Sequence, residues 1–123
     1  MSLALRAAPL ALLLMSTAGH CVAAEDPAID YLLSYVAGSP CVFVRNGTRH
    51  SGPEAAEHLR MKYARGKAYV SSAEQFIDRI ASRSSWTGTA YSVECAPGET
   101  LSSAEWLRGA LQRFRETAAG ADP

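Results

Sequence analysis

Glu54, His58 and Lys62 stand four residues apart, so on a helix they form one stripe. A carboxylate, an imidazole and an amine in line can move a proton, pair with an anion or hold a metal. Each of those tasks needs a different neighbour. A metal would take His50 as a third ligand, but the spacing matches no recognised ligand pattern and no metal is expected. His58 as a general base would need a nucleophile, and Ser84 and Ser85 are the hydroxyls on offer. Their segment, Ser84-Ser85-Trp86-Thr87-Gly88, lacks the flanking glycines of a nucleophile elbow. Hydroxyl-rich turns of this kind usually satisfy backbone groups. No catalytic residue is assigned, and no cofactor is expected.

Charge gives a stronger signal. The 123-residue chain is formally neutral, which argues against a nucleic-acid binder. Residues 45–67 nevertheless carry Arg45, Arg49, Arg60, Lys62, Arg65 and Lys67 against two acids, a local +4 between acidic flanks. A basic centre in an acidic frame can focus an anion, or it can be an ordinary solvated helix face. His58, beside the apolar Leu59, is placed to project toward the preceding hairpin and to meet Arg45 or Tyr91. The candidate ligand contacts are therefore Arg45, His58, Lys62 and Tyr91, with Ser84 and Ser85 as hydrogen-bonding groups.

The N-terminal residues set the compartment. One arginine precedes an apolar run over 7–15, and Val22-Ala23-Ala24 fits signal-peptidase cleavage after Ala24. The run is too short to span a bilayer, so no transmembrane segment is expected in the mature chain. Residues 25–123 are then one exported, periplasmic or secreted domain, with a frayed tail from about 118. Two cysteines remain, Cys41 and Cys95, and an even count outside the cytosol reads as a disulfide.

The elements that must position these groups follow from local signals. Asp26-Pro27 starts a helix whose apolar face is Ile29, Leu32, Leu33 and Val36. Cys41 to Arg45 is β-branched and aromatic, and Asn46-Gly47 turns it into a hairpin returning over 48–51. Ser51-Gly-Pro-Glu54 caps a second helix to about Arg65, and Ser72 starts a third bearing Phe76, Ile77, Ile80 and Ala81. A strand over 89–95 is followed by Ala96-Pro97-Gly98, read as a break. Ser102-x-x-Glu105 caps the last helix, with Trp106, Leu107, Ala110, Leu111 and Phe114 in the core. Trp86 is expected to cover one end of the core, or else to be an exposed contact. The architecture expected is α+β, a three-stranded antiparallel sheet (hairpin plus one late strand) packed with about four helices.

Four patterns occur in fixed order: Ser39-Pro-Cys41-Val-Phe-Val-Arg45-Asn-Gly47, Glu54-Ala-Ala-Glu-His58-Leu-Arg-Met-Lys62-Tyr63, Ser72-Ala-Glu74-Gln-Phe76-Ile77 and Ser82-Arg-Ser84-Ser85-Trp-Thr-Gly88-Thr-Ala-Tyr91. Together they resemble a family of small exported proteobacterial proteins known as domain of unknown function, family 5329. The resemblance covers residues 29–115 and implies a periplasmic domain with cysteines at positions 41 and 95. It brings no activity with it. The function expected is non-catalytic binding of an anionic envelope ligand or a protein partner. A small hydrolase using His58 and a structural subunit of an envelope complex are the alternatives.

Overall fold

The computed structural model describes residues 26–120 and the isolated positions 4, 9 and 11. The expected cut after Ala24 lies outside the described residues.

Helix α1 (Pro27–Ala37) starts where Asp26 accepts a hydrogen bond from the Ala28 amide at 2.9 Å, with Pro27 supplying a pre-set φ. Its buried stripe is Ala28, Ile29, Leu32, Leu33 and Val36. Strands β1 (Val42–Arg45) and β2 (Thr48–His50) form the hairpin. Asn46 and Gly47 both have positive φ, 49° and 76°, as a two-residue turn matched to strand twist requires. Helix α2 (Gly52–Gly66) is capped by Ser51 and runs into a short 3₁₀ turn, Lys67–Tyr69. Gly52 is buried here because α2 begins against the end of α1: a Cβ on it would lie 2.6 Å from the carbonyls of Val36 and Ser39.

Helix α3 (Ala73–Phe76) is capped by Ser72 and continues as a π-helical turn, Ile77–Ala81. Strands β3 (Ser92–Ala96) and β4 (Glu99–Ser102) follow, then helix α4 (Ser103–Gly120). Ser102 Oγ both accepts from the Glu105 amide (3.2 Å) and donates to its carboxylate (3.0 Å), so the expected Ser102–Glu105 pair caps the helix, joined hydroxyl to carboxylate. The helix carries through Ala118 and Ala119, good helix formers, to Gly120.

The sheet has four strands, in the order β2-β1-β3-β4, all antiparallel, where three were expected. The extra strand arises because Ala96-Pro97-Gly98 turns the chain instead of breaking it. Ala96 pairs with Glu99, leaving Pro97-Gly98 as a two-residue loop, and Gly98 takes φ 80°. Proline followed by a positive-φ glycine suits a type II turn. A one-residue register shift between Glu94 and Ala96 makes Cys95 the extra residue of a bulge.

Phe43 and Val93 pair across β1 and β3 and are buried in the core with α1, α2 and α4. Val42 and Val44 are half covered and share their face with the Arg49–Glu94 ion pair at 2.7 Å. Phe76, Leu32, Ile77 and Leu107 fill the centre. Trp106 and Phe114 are only partly buried and flank it, in a run of ring contacts with Tyr31, Tyr35 and Phe43. A disulfide joins Cys41, buried just ahead of β1, to the exposed Cys95 of β3. It closes a loop with a sequence separation of 54, long enough for chain-entropy stabilisation of about 4 kcal/mol.

Candidate functional site

Arg45 is the last residue of β1, and strand alternation puts it on the Phe43 face, toward α2. There it meets His58, in the middle of α2. Arg45 Nη1 lies 2.9 Å from His58 Nδ1 and 2.8 Å from Nε2. A guanidinium can only donate, so one ring nitrogen accepts from it, the other carries the proton, and the imidazole is neutral in this arrangement. Burial, and then Arg45 and Lys62, hold the His58 pKa below its usual value, in agreement with that geometry. Tyr91 is buried beneath the pair, its hydroxyl 3.4 Å from His58 Nε2. Burial pushes the phenol pKa up, with Arg45 opposing.

Lys62, one turn further along α2, has a different task. Its Nζ donates to the Ile80 carbonyl at 2.7 Å, the Arg83 carbonyl at 2.9 Å and Tyr91 Oη at 2.9 Å, and sits 4.8 Å from the Tyr91 ring centre. All three ammonium protons are used. Lys62 is thereby a cationic cap, supplied from α2, for the carbonyl end of the α3–π segment. Burial and Arg45 lower its pKa to about 8.

Ser84 is buried and serves its own turn. Its Oγ accepts from the amides of Trp86 (3.3 Å) and Thr87 (3.4 Å) and from Asn46 Nδ2 (3.4 Å), while Thr87 Oγ1 donates to Asn46 Oδ1 at 2.7 Å. These bonds tie the 84–88 turn to the tip of the β1–β2 hairpin. Ser85 is exposed beside it. Trp86 does not cover the core: it is 96% exposed, because the turn that carries it is held from below by Ser84 and leaves its ring outside.

These residues surround one cleft of about 550 Å³. All six residues expected from the sequence to contact a ligand, Arg45, His58, Lys62, Tyr91, Ser84 and Ser85, line it, although Lys62 and Ser84 spend their polar atoms internally. Arg65, Arg79, Tyr69 and Trp86 also line it, and among the described residues no Asp or Glu does. Arg65 was legible as a site residue, being three residues after Lys62 and seven after His58 on the same helix face. Arg79 comes from the π turn and donates to the Tyr69 carbonyl, a placement only the fold supplies. Other basic residues of the 45–67 segment go elsewhere: Arg49 pairs with Glu94, and Lys67 lies over the Tyr63 ring.

The stripe of Glu54, His58 and Lys62 divides its tasks. Glu54 faces His50 at 3.4 Å, His58 faces Arg45, and Lys62 faces backbone carbonyls. Among the described residues, no three His, Cys, Asp or Glu side chains are grouped to hold a metal ion. No helix there is long and apolar enough to cross a membrane.

The model of a family of unknown function, DUF5329, matches residues 23–115. The chain belongs to this family. A curated relative, the uncharacterized protein YfeK of Salmonella typhimurium (strain LT2), is 43% identical over 68 residues. That match covers 54% of this chain and 57% of YfeK, so the chain spans little more than half of that relative. No solved structure matches. The residues that the DUF5329 model matches include both the Arg45–His58 contact and the Ser84–Thr87 turn, so the cleft is built from family segments.

Proposed function

We propose that this DUF5329 protein is a non-catalytic periplasmic domain that binds an anionic envelope ligand in the cleft between α2, the β1–β2 hairpin and the 84–88 turn. One observation carries the reading. Arg45, Lys62, Arg65 and Arg79 converge on a single concave surface with no carboxylate among the described residues that line it. Like charges so gathered repel one another, and a bound anion relieves that repulsion while gaining charge-assisted hydrogen bonds. Arg45 and Arg65 are the available donors, since Lys62 is fully engaged. Tyr69 and Trp86, 74% and 96% exposed at the margin, offer flat faces to the uncharged part of a ligand. The disulfide supports an oxidising compartment.

Hydrolysis finds less support. His58 spends its ring nitrogens on Arg45 and Tyr91, the Ser84 hydroxyl is committed to its turn, and no carboxylate among the described residues orients the imidazole. The test is calorimetric titration of residues 25–123 with inorganic phosphate at low salt, repeated with Arg45→Ala and Arg65→Glu. Each substitution is expected to weaken binding about tenfold or more, the equivalent of one hydrogen bond to a charged group. Phosphate affinity unchanged by both would overturn the reading.

A further inference from the structure

Two concavities meet at His58. Beside the cationic cleft lies a slot of about 240 Å³ between α2 and the β1–β2 hairpin. Its floor is apolar, with Phe43 and Leu59 both buried; the half-exposed Met61 also lines it, as do His50 and the exposed carboxylates Glu54 and Glu57. Slot and cleft share three residues only: Arg45, His58 and Tyr91. Tyr91 is buried and held by Lys62, so it is a floor common to both. What separates them above that floor is the Arg45–His58 contact, which reaches from β1 across to α2.

That partition is built to yield. It joins a guanidinium to a neutral imidazole, and neither group is paired with a carboxylate among the described residues. The bond to the imidazole is charge-assisted on the guanidinium side alone, whereas an anion adds the attraction of opposite charges and can take two parallel N–H bonds. An anion in the cleft therefore competes well for Arg45, and drawing the guanidinium toward it joins the slot to the cleft. The result is one groove with a cationic end and an apolar end.

We propose that this groove takes a single-tailed amphiphilic anion, with its phosphate or carboxylate on Arg45 and Arg65 and its tail in the slot against Phe43, Leu59 and Met61. The proposal rests on the anion-binding reading above and adds the class of ligand. Size sets a limit on the tail. A methylene fills about the volume of a water molecule, roughly 30 Å³, so the slot holds about eight carbons. Full burial of one methylene is worth about fourfold in affinity, and a half-open slot returns part of that.

The experiment is a chain-length series on residues 25–123: inorganic phosphate, then butyl, octyl and dodecyl phosphate, each below its micellar concentration, measured by calorimetry. Octyl phosphate is expected to bind about 10- to 100-fold more tightly than butyl phosphate, and dodecyl phosphate to add only a few-fold more. Met61→Glu, at an exposed edge where folding is not at stake, should remove most of the octyl gain and leave inorganic phosphate within about twofold. Ala55→Phe, which fills the slot from α2, should do the same. Phosphate binding without any chain-length dependence overturns the amphiphile and leaves the anion site standing. A tail effect lost in Trp86→Ala but kept in Met61→Glu places the tail on the outer rim and overturns the slot. Failure of every probe to bind overturns both readings.

Discussion

Replacing Lys62 by Met keeps an unbranched side chain, one atom shorter, and removes its three donors. The structure predicts how the resulting loss of stability changes with pH. At neutral pH the variant leaves the Ile80 and Arg83 carbonyls and Tyr91 Oη without their partner. Hydrogen bonds from a charged donor are worth about 1.5–3 kcal/mol each, but at this half-buried position water replaces part of that. The fold also disfavours the ammonium, which faces Arg45 from β1, His58 and Arg65 from α2, Arg79 from the π turn and Tyr91, with no acid among them. Its pKa falls from 10.5 to about 8, driven by burial first and Arg45 second. Fully buried, such a lowering would correspond to about 3 kcal/mol, and solvent screening reduces it here to ~1–2 kcal/mol. Between pH 8 and 10.5 the unfolded chain therefore binds a proton that the folded protein has released, and stability rises with pH. The variant lacks that rise. Urea unfolding followed by tryptophan fluorescence should show Lys62→Met less stable by ~1–2 kcal/mol at pH 7, and the difference should widen by about 1 kcal/mol by roughly pH 9.5. A difference that is constant with pH would mean the fold does not disfavour the ammonium, one that shrinks would mean the fold favours it, and either would refute the argument.

Other predictions come from single contacts. Gly52→Ala should cost ~1–3 kcal/mol in urea unfolding, because its Cβ would meet two backbone carbonyls at 2.6 Å that cannot move without separating α1 from α2. Replacing Cys41 and Cys95 together by Ala should cost about 4 kcal/mol and lower Tm markedly, the change expected from opening so long a loop. The His58 ring should titrate below 6.5 by NMR, because burial, Arg45 and Lys62 all disfavour its protonation. As pH falls below 6.5 the unfolded chain takes up this proton first, so stability declines until the folded ring also protonates, and His58→Gln should abolish that component.

Contacts that are short in sequence are legible in it, and contacts that are long are not. The caps at Asp26, Ser51, Ser72 and Ser102 and the Asn46-Gly47 turn announce themselves within four residues, because each bond they make is that short. Strand β4 escapes the sequence because Glu99-Thr-Leu-Ser102 is exposed along most of its length and shows no apolar alternation; pairing with β3 makes it a strand. The π turn is invisible for a related reason, since Phe76, Ile77, Ile80 and Ala81 recur as they would in an ordinary helix. The cleft is half legible. Arg45 and His58 can be placed opposite each other from one strand and one helix face. The use of Lys62 as a cap depends on carbonyls 18 and 21 residues away, and Arg79 enters the cleft from a separate segment. The exposure of Trp86 likewise follows from a tether between two turns some 41 residues apart.

Anion binding at the cleft is tested most directly by titrating isotope-labelled residues 25–123 with inorganic phosphate and following the arginine side-chain, histidine and tryptophan indole signals. The Arg45 and Arg65 guanidinium signals should shift together with one saturating dissociation constant. His58 should move with them as its contact to Arg45 is drawn away, and Arg49, paired with Glu94 on the opposite face of the sheet, should stay still. Saturable shifts centred on Arg49 or Arg108, or no saturable shift at Arg45 and Arg65 in low salt, would contradict the reading of this cleft as an anion site.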